Sequence, residues 1–220
     1  NRNFKIGYSK TIGGALIEED VSSVIQASVS KYQNEYKAHV EEINFYPESI
    51  EEIYNVFFDF FCTKGYASDP ELIDNPKIKS KITDYLLRNW EHGKKVTGSR
   101  LFECYNKIGY YRDYLNNFFE KYDFLITPTM ATTAFEVNNP PKKINGKDVN
   151  DELWDFTPFT YYFNMTGNPA ATIPVGFDKN NLPIGLQVVG KMGKEFEVLE
   201  ISKEFENIFN WPQNKSNISI

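Results

Sequence analysis

His39 and His92 are the only two imidazoles in the chain, and a serine–histidine–acid relay needs one of them beside a serine. Their settings argue against that use. His39 lies where a helical pattern gives way to an alternating one. His92 precedes Gly93 at the expected end of a helix, where the dipole favours a cationic ring. Both read as surface or capping residues. No Gly-x-Ser-x-Gly elbow occurs. The one Gly-Ser pair, Gly98-Ser99, opens a long helical pattern and makes Ser99 a natural N-cap. Neither a phosphate-cradling P-loop nor a Gly-x-Gly-x-x-Gly fingerprint is present. The acidic pairs Glu41-Glu42 and Glu51-Glu52 are consecutive, so their carboxylates point to different sides and read as solvated charge. Cys62 and Cys104 are far apart and form neither a metal pair nor a Cys-x-x-Cys redox pair. They read as two buried thiols, and no cluster with metal-ligand spacing is evident.

Two other constellations stand out. Ile126-Thr-Pro-Thr129 puts hydroxyls at the C-terminal end of a short apolar run, the end of a strand where open α/β sheets tend to bind ligands. Asn164-Met-Thr-Gly-Asn-Pro169 is a second polar turn beside a strand. Both admit a plainer explanation, because such residues also turn chains for conformational reasons alone.

The elements that would hold these residues follow from periodicity. Phe4–Tyr8 alternates and reads as a strand; residues 18–38 carry apolar positions at helical spacing, with Glu18, Glu19 and Asp20 at the N-terminal end. Val40–Phe45 alternates again, so 4–45 reads as a β-α-β unit of a parallel or mixed sheet. Helices are expected at Glu48–Cys62, with Gly65 as the stop, at Ile78–Trp90, and at Leu101–Tyr122. Ala67–Pro76 and Gly93–Ser99 are expected breaks. Asp123–Ile126 is a buried strand stopped by Pro128, and Asn138–Gly146 an exposed loop. Leu153–Met165 is aromatic and ambiguous. Ala170–Val175 and Ile184–Val189 are strands joined by a hairpin-like turn at Asp178–Pro183. Glu195–Phe209 is a closing helix, and residues 211–220 a tail. The architecture expected is α/β, a mixed β-sheet covered by helices.

The net charge is −6, without the basic stripe that phosphate contacts demand, so a nucleic-acid partner is not expected. No apolar run approaches the ~20 residues of a membrane span, and no membrane partner is expected. Two cysteines without a disulfide framework fit a reducing, cytoplasmic setting. The first residue is Asn1 and strand-like alternation follows almost at once, the pattern of a chain that starts inside a larger fold.

Tyr122-Asp-Phe-Leu-Ile-Thr-Pro-Thr129 resembles a segment of the amidase-signature hydrolases. Phe163–Ala170, Ile173–Phe177 and Leu182-Pro-Ile-Gly-Leu-Gln-Val-Val-Gly190 resemble, in the same order and spacing, that family's closing region. Weaker similarity extends to Phe4–Tyr8 and Glu18–Val29, so the resemblance runs from residue 4 to residue 209. It implies the C-terminal half of an amidase-signature fold occupying residues 1–220. It also implies an activity that cleaves a carboxamide to acid and amine through an acyl-serine, with no cofactor. The nucleophilic serine, the second serine and the lysine base lie in the N-terminal half of such enzymes. No residue here matches them, so no catalytic residue is assigned. The implied partners are that N-terminal half, on the same or a separate chain, and a small-molecule amide. Uncovered sheet edges are expected to favour a homo-oligomer.

By position, the implied pocket-wall residues are Thr127, Pro128, Thr129, Phe159, Phe163, Asn164 and Thr166; a purely chain-turning role is the rival explanation. The glutamine-dependent tRNA amidotransferase branch of the family holds its substrate with an arginine on the mid-chain helices. Arg88 and Arg100 are present there without a clear match, which tilts the implication towards a general amidase. A non-catalytic binding or assembly partner is the other alternative.

Overall fold

The computed structural model describes residues 4–151 and 154–209; the expected tail at 211–220 lies outside them. β1 (Lys5–Tyr8), α1 (Glu19–Tyr36) and β2 (His39–Glu42) form the expected β-α-β unit, with β1 and β2 parallel. β1 also pairs in parallel with β3 (Phe124–Pro128). β7 (Pro183–Gly190) runs antiparallel to β3 and to β6 (Ala170–Phe177), giving one mixed sheet of order β2-β1-β3-β7-β6. The sheet is therefore parallel where helices connect the strands and antiparallel where a hairpin does.

Alternation along β3 divides the core between the two faces. Phe124 and Ile126 join Ile6, Leu186 and Val188 beneath α1 and α8 (Glu195–Phe209). Leu125 and Val189 join the opposite cluster with residues of α2 (Ile50–Ser68) and α6 (Gly98–Phe118). The latter layer is strongly aromatic: Phe57 stacks on Tyr161 at 4.6 Å, and Phe45 meets Tyr162 edge-on at 5.8 Å. Sandwiching apolar strands between two helical layers explains why all five residues of β3 are buried. The outer edges, β2 and β6, carry no further strand among the described residues. Phe196 and Leu199 stand exposed on α8.

Five expectations need correction. Gly65 does not stop α2, which runs on to Ser68. Gly65 is needed for close approach instead, since a Cβ there would lie 2.7 Å from the Trp90 ring. The helix expected over Ile78–Trp90 is broken in two, and the loop expected over Ala67–Pro76 is partly helical. After α3 (Glu71–Asp74), α4 (Pro76–Lys79) begins with proline at its first turn behind the Asn75 cap, and α5 (Asp84–Gly93) starts afresh. Ser99 is not the cap of α6; Thr97 is, accepting from the Arg100 N–H at 3.2 Å. Finally, the loop at 138–146 contains half of a small hairpin, β4 (Lys143–Ile144) and β5 (Lys147–Asp148). Its turn places Asn145 and Gly146 at positive φ, the geometry that Asn-Gly favours. Glu18 pins that turn to the start of α1 by accepting from the Asn145 N–H at 2.9 Å.

The ambiguous stretch before β6 supplies α7 (Tyr161–Thr166), which packs between α2 and α6. No helix among the described residues is long and apolar enough to cross a membrane.

Candidate functional site

The C-terminal end of β3 meets the start of β7, and the contacts there are specific. Thr127 stands opposite Gln187 and Pro128 opposite Leu186. The Thr127 hydroxyl donates to the Pro128 carbonyl at 2.9 Å and accepts from Gln187 Nε2 at 2.9 Å. The same amide nitrogen donates to the Phe159 carbonyl at 2.8 Å. A carbonyl can only accept, so this contact fixes which end of the Gln187 amide faces the pair. Thr127, Gln187 and Phe159 are all buried, which makes the amide an internal tie among β3, β7 and the segment before α7.

Proline is tolerated at this strand end for a topological reason. The Thr129 N–H donates across to the Gly185 carbonyl, so the neighbouring Pro128 nitrogen faces the β1 side. The last β3 partner of β1 is Ile126, so the proline stands where that ladder ends. Thr129 Oγ1 reaches Thr172 Oγ1 at 3.2 Å. Gly185 is wedged beside both threonines, since a Cβ on it would come within 2.8 Å of the Thr172 methyl and 3.1 Å of the Thr129 hydroxyl.

Beyond Thr129 the chain opens a cleft of about 360 Å³. Its walls include Met130, Thr132 and Phe135 from the outgoing loop, Phe156, and Ile184 with Gly185 at the start of β7. The loop is held from both sides: the Ala131 N–H donates to the Phe156 carbonyl and its carbonyl accepts from the Glu18 N–H. A smaller cleft of about 150 Å³ lies towards α2, with Tyr54, Asn55, Asp148 and Asp155 on its walls. Two of its polar side chains are engaged: Asp155 Oδ2 accepts the Asn150 and Asp151 N–H groups, and Tyr54 donates to Asp151 at 2.6 Å.

The seven pocket-wall candidates thus fall into two groups. Thr127, Pro128, Thr129 and Phe159 meet around the strand end. Phe163, Asn164 and Thr166 lie on α7: Phe163 packs in the core against Phe45, Thr166 is buried with its hydroxyl on the Phe163 carbonyl, and Asn164 is exposed. This second group is tied to α6 by Arg112, whose Nε donates to the Thr166 carbonyl at 3.1 Å. Arg112 belongs beside Arg88 and Arg100 among the mid-chain arginines, and sequence reading passed over it.

His92 pairs with Asp59 at 2.6 Å, and Asp59 also accepts from Arg100 Nε at 2.8 Å. This joins α5, α2 and α6 at a position away from the strand end, while His39 lies exposed at the start of β2. Both cysteines are free and buried, and burial pushes the Cys62 thiol up to about 12, far from nucleophilic at neutral pH. Among the described residues no three His, Cys, Asp or Glu side chains converge as a metal site.

Sequence reading also missed Gln187, Phe135 and Phe156. The first had a signal: a lone amide in the apolar run Ile184–Val189 must find buried partners. The two rings lie in segments without regular periodicity.

The family model described as Amidase matches residues 1–199. An acylamidase of Rhodococcus erythropolis is 30% identical over 152 residues, covering 69% of this chain and 32% of that protein. The glutamyl-tRNA(Gln) amidotransferase of a Prochlorococcus marinus strain has one subunit that is 39% identical over 111 residues, covering 50% of this chain and 21% of that protein. A solved bacterial aryl acylamidase of the amidase signature family superposes with a TM-score of 0.83 at 23% identity, over 96% of this chain and 45% of that one. The chain therefore spans less than half the length of each of these relatives.

Proposed function

The chain belongs to the amidase family, and from that premise we propose that it forms the C-terminal portion of an amide hydrolase whose nucleophile is supplied by residues outside these 220. The reaction is R–CO–NH–R′ + H₂O → R–COOH + R′–NH₂. A serine oxygen attacks the carbonyl, the C–N bond breaks as the amine takes a proton, and water releases the acid from the acyl-serine. Acyl transfer of this kind draws on no cofactor.

One observation carries this reading: the segments that resemble the family's sequence meet at the C-terminal end of β3, where Thr127–Thr129, Phe159 and Gln187 build a rigid, buried framework behind an open cleft. Rigid walls that position a substrate are what a hydrolase needs from elements that hold no reacting group. The Thr127–Thr129 strand end, with Phe159, forms that wall, and Phe163, Asn164 and Thr166 support it from α7. The missing portion docks on the open β6 edge and the exposed Phe196 and Leu199 of α8. The free, buried thiols accord with a reducing compartment, and we place the activity in the cytoplasm.

The test is to co-produce this chain with a Gly/Ser-rich amidase half and assay a broad amide panel that starts with anilides. A well-folded complex that hydrolyses none of them overturns the proposal. The amidotransferase relative, at 39% identity, favours glutamine as a second substrate reading. Ammonia release from glutamine without anilide cleavage would select it.

A further inference from the structure

The cleft beyond β3 has a chemical character that narrows the substrate. Among the described residues its lining includes no charged side chain. Its two hydroxyls are already committed as donors: Thr132 Oγ1 donates to the Thr133 carbonyl at 3.0 Å, and Thr133 Oγ1 to Asp178 Oδ2 at 2.8 Å. The surface left to a guest is the thioether of Met130, the side chains of Ile184 and Pro183, and two phenyl rings. Phe135 and Phe156 stand edge-to-face with centroids 4.9 Å apart, an arrangement that an incoming ring can extend. Phe135 is 41% exposed, so this ring has capacity for a further contact.

The volume of about 360 Å³ lies at the lower end of the range for small-molecule sites. It holds a six-membered ring with its amide, since a dry cavity of about 150 Å³ already accepts benzene. The cleft also lies where open sheets place ligands, just past the carboxyl end of a strand.

We infer that this cleft receives an aryl or branched-alkyl group of the amide substrate and selects such amides over small polar ones. The inference rests on the reading of the strand end as the substrate-facing side, and it concerns binding by this chain's own residues. Selectivity then comes from transfer of apolar surface out of water, about fourfold in affinity for each buried methylene.

The experiment is ligand-observed saturation-transfer NMR on the 220-residue chain, with acetanilide and acetamide as probes and competition titrations to rank them. Acetanilide is expected to bind at least about tenfold more tightly. Phe135→Ala, at an exposed ring whose loss the fold tolerates, is expected to weaken acetanilide about threefold to tenfold. Thr132→Asp, which puts a charge into the lining, is expected to abolish ring binding with the circular dichroism of the fold unchanged. Should Thr132→Asp fail to fold, the Phe135→Ala result decides alone. Equal affinity for the two probes, no detectable acetanilide binding, or binding insensitive to Phe135→Ala overturns the inference. Because no hydrolysis is measured, this outcome is separate from the amidase reading: a reconstituted enzyme that cleaves amides without ring preference would sink the cleft assignment and leave the family reaction standing.

Discussion

Gln187→Leu removes a side chain that ties β3, β7 and the segment before α7 together. Two hydrogen bonds go, to Thr127 Oγ1 at 2.9 Å and to the Phe159 carbonyl at 2.8 Å, each contributing about 1 kcal/mol net. The Phe159 carbonyl is then left in a dry interior, at a further cost of about 1–3 kcal/mol. Leucine is of similar volume and its apolar burial returns part of this. The expected loss is about 2–4 kcal/mol, a large share of the ~5–15 kcal/mol that holds a typical domain folded. Thr127→Val breaks one of the two Gln187 contacts together with the hydroxyl's own bond to the Pro128 carbonyl, and is expected to cost about 1.5–2.5 kcal/mol. The double variant should fall short of the sum by about 1 kcal/mol, because the shared bond is lost only once. Urea unfolding followed by circular dichroism reads all three, as shifts in midpoint at constant slope. A Gln187→Leu protein within about 0.5 kcal/mol of the parent, or strict additivity, would refute the claim that this amide is a structural tie.

Other outcomes follow from the same geometry. At Gly93 an added Cβ would sit 2.1 Å from the Cys62 carbonyl oxygen, whereas at Gly65 it meets the Trp90 ring at 2.7 Å. Backbone yields less than a ring, so Gly93→Ala should be the more damaging, while Gly65→Ala costs about 1–3 kcal/mol and shifts tryptophan fluorescence. Asp178 is held below the ordinary aspartate range, first by the Leu182 N–H and also by the Thr133 hydroxyl and the Asn180 N–H. Its folded value is the lower one, so its contribution is present above the ordinary aspartate value and is lost as pH falls through the lowered one. Acid titration by NMR should show the Thr133 and Leu182 signals moving together in that window, and Asp178→Asn should remove the transition. Cys62 and Cys104 should resist a thiol reagent at about pH 8, near the ordinary thiol value, in the folded protein and react fully in urea, since burial raises both; mass spectrometry counts the adducts.

The sheet was legible wherever one period dominated. Phe4–Tyr8, residues 18–38 and Val40–Phe45 gave the parallel unit, and the run from Ala170 to Val189 gave the hairpin. What periodicity could not carry was tertiary demand. Gly65 resembles a stop until Trp90 packs over it. Asn145-Gly146 was absorbed into a polar loop because its flanking strands are two residues each. At the site, Thr127–Thr129 was correctly placed at a strand end, as the hydroxyls against an apolar run required. Gln187, which fixes that end, stands 60 residues from Thr127 and 28 from Phe159, and local spacing holds no record of such contacts. Phe163 and Thr166 were grouped with the strand end by family order, and the fold assigns them to α7 through Arg112.

The central claim is that this chain contributes pocket wall and framework while the acylated serine lies elsewhere. Incubating the purified chain with a fluorophosphonate serine-hydrolase probe and reading intact masses tests it most directly. One unlabelled species at the mass of the chain is the expected result. A stoichiometric adduct, mapped to any serine within these residues and abolished by its replacement with alanine, would contradict it.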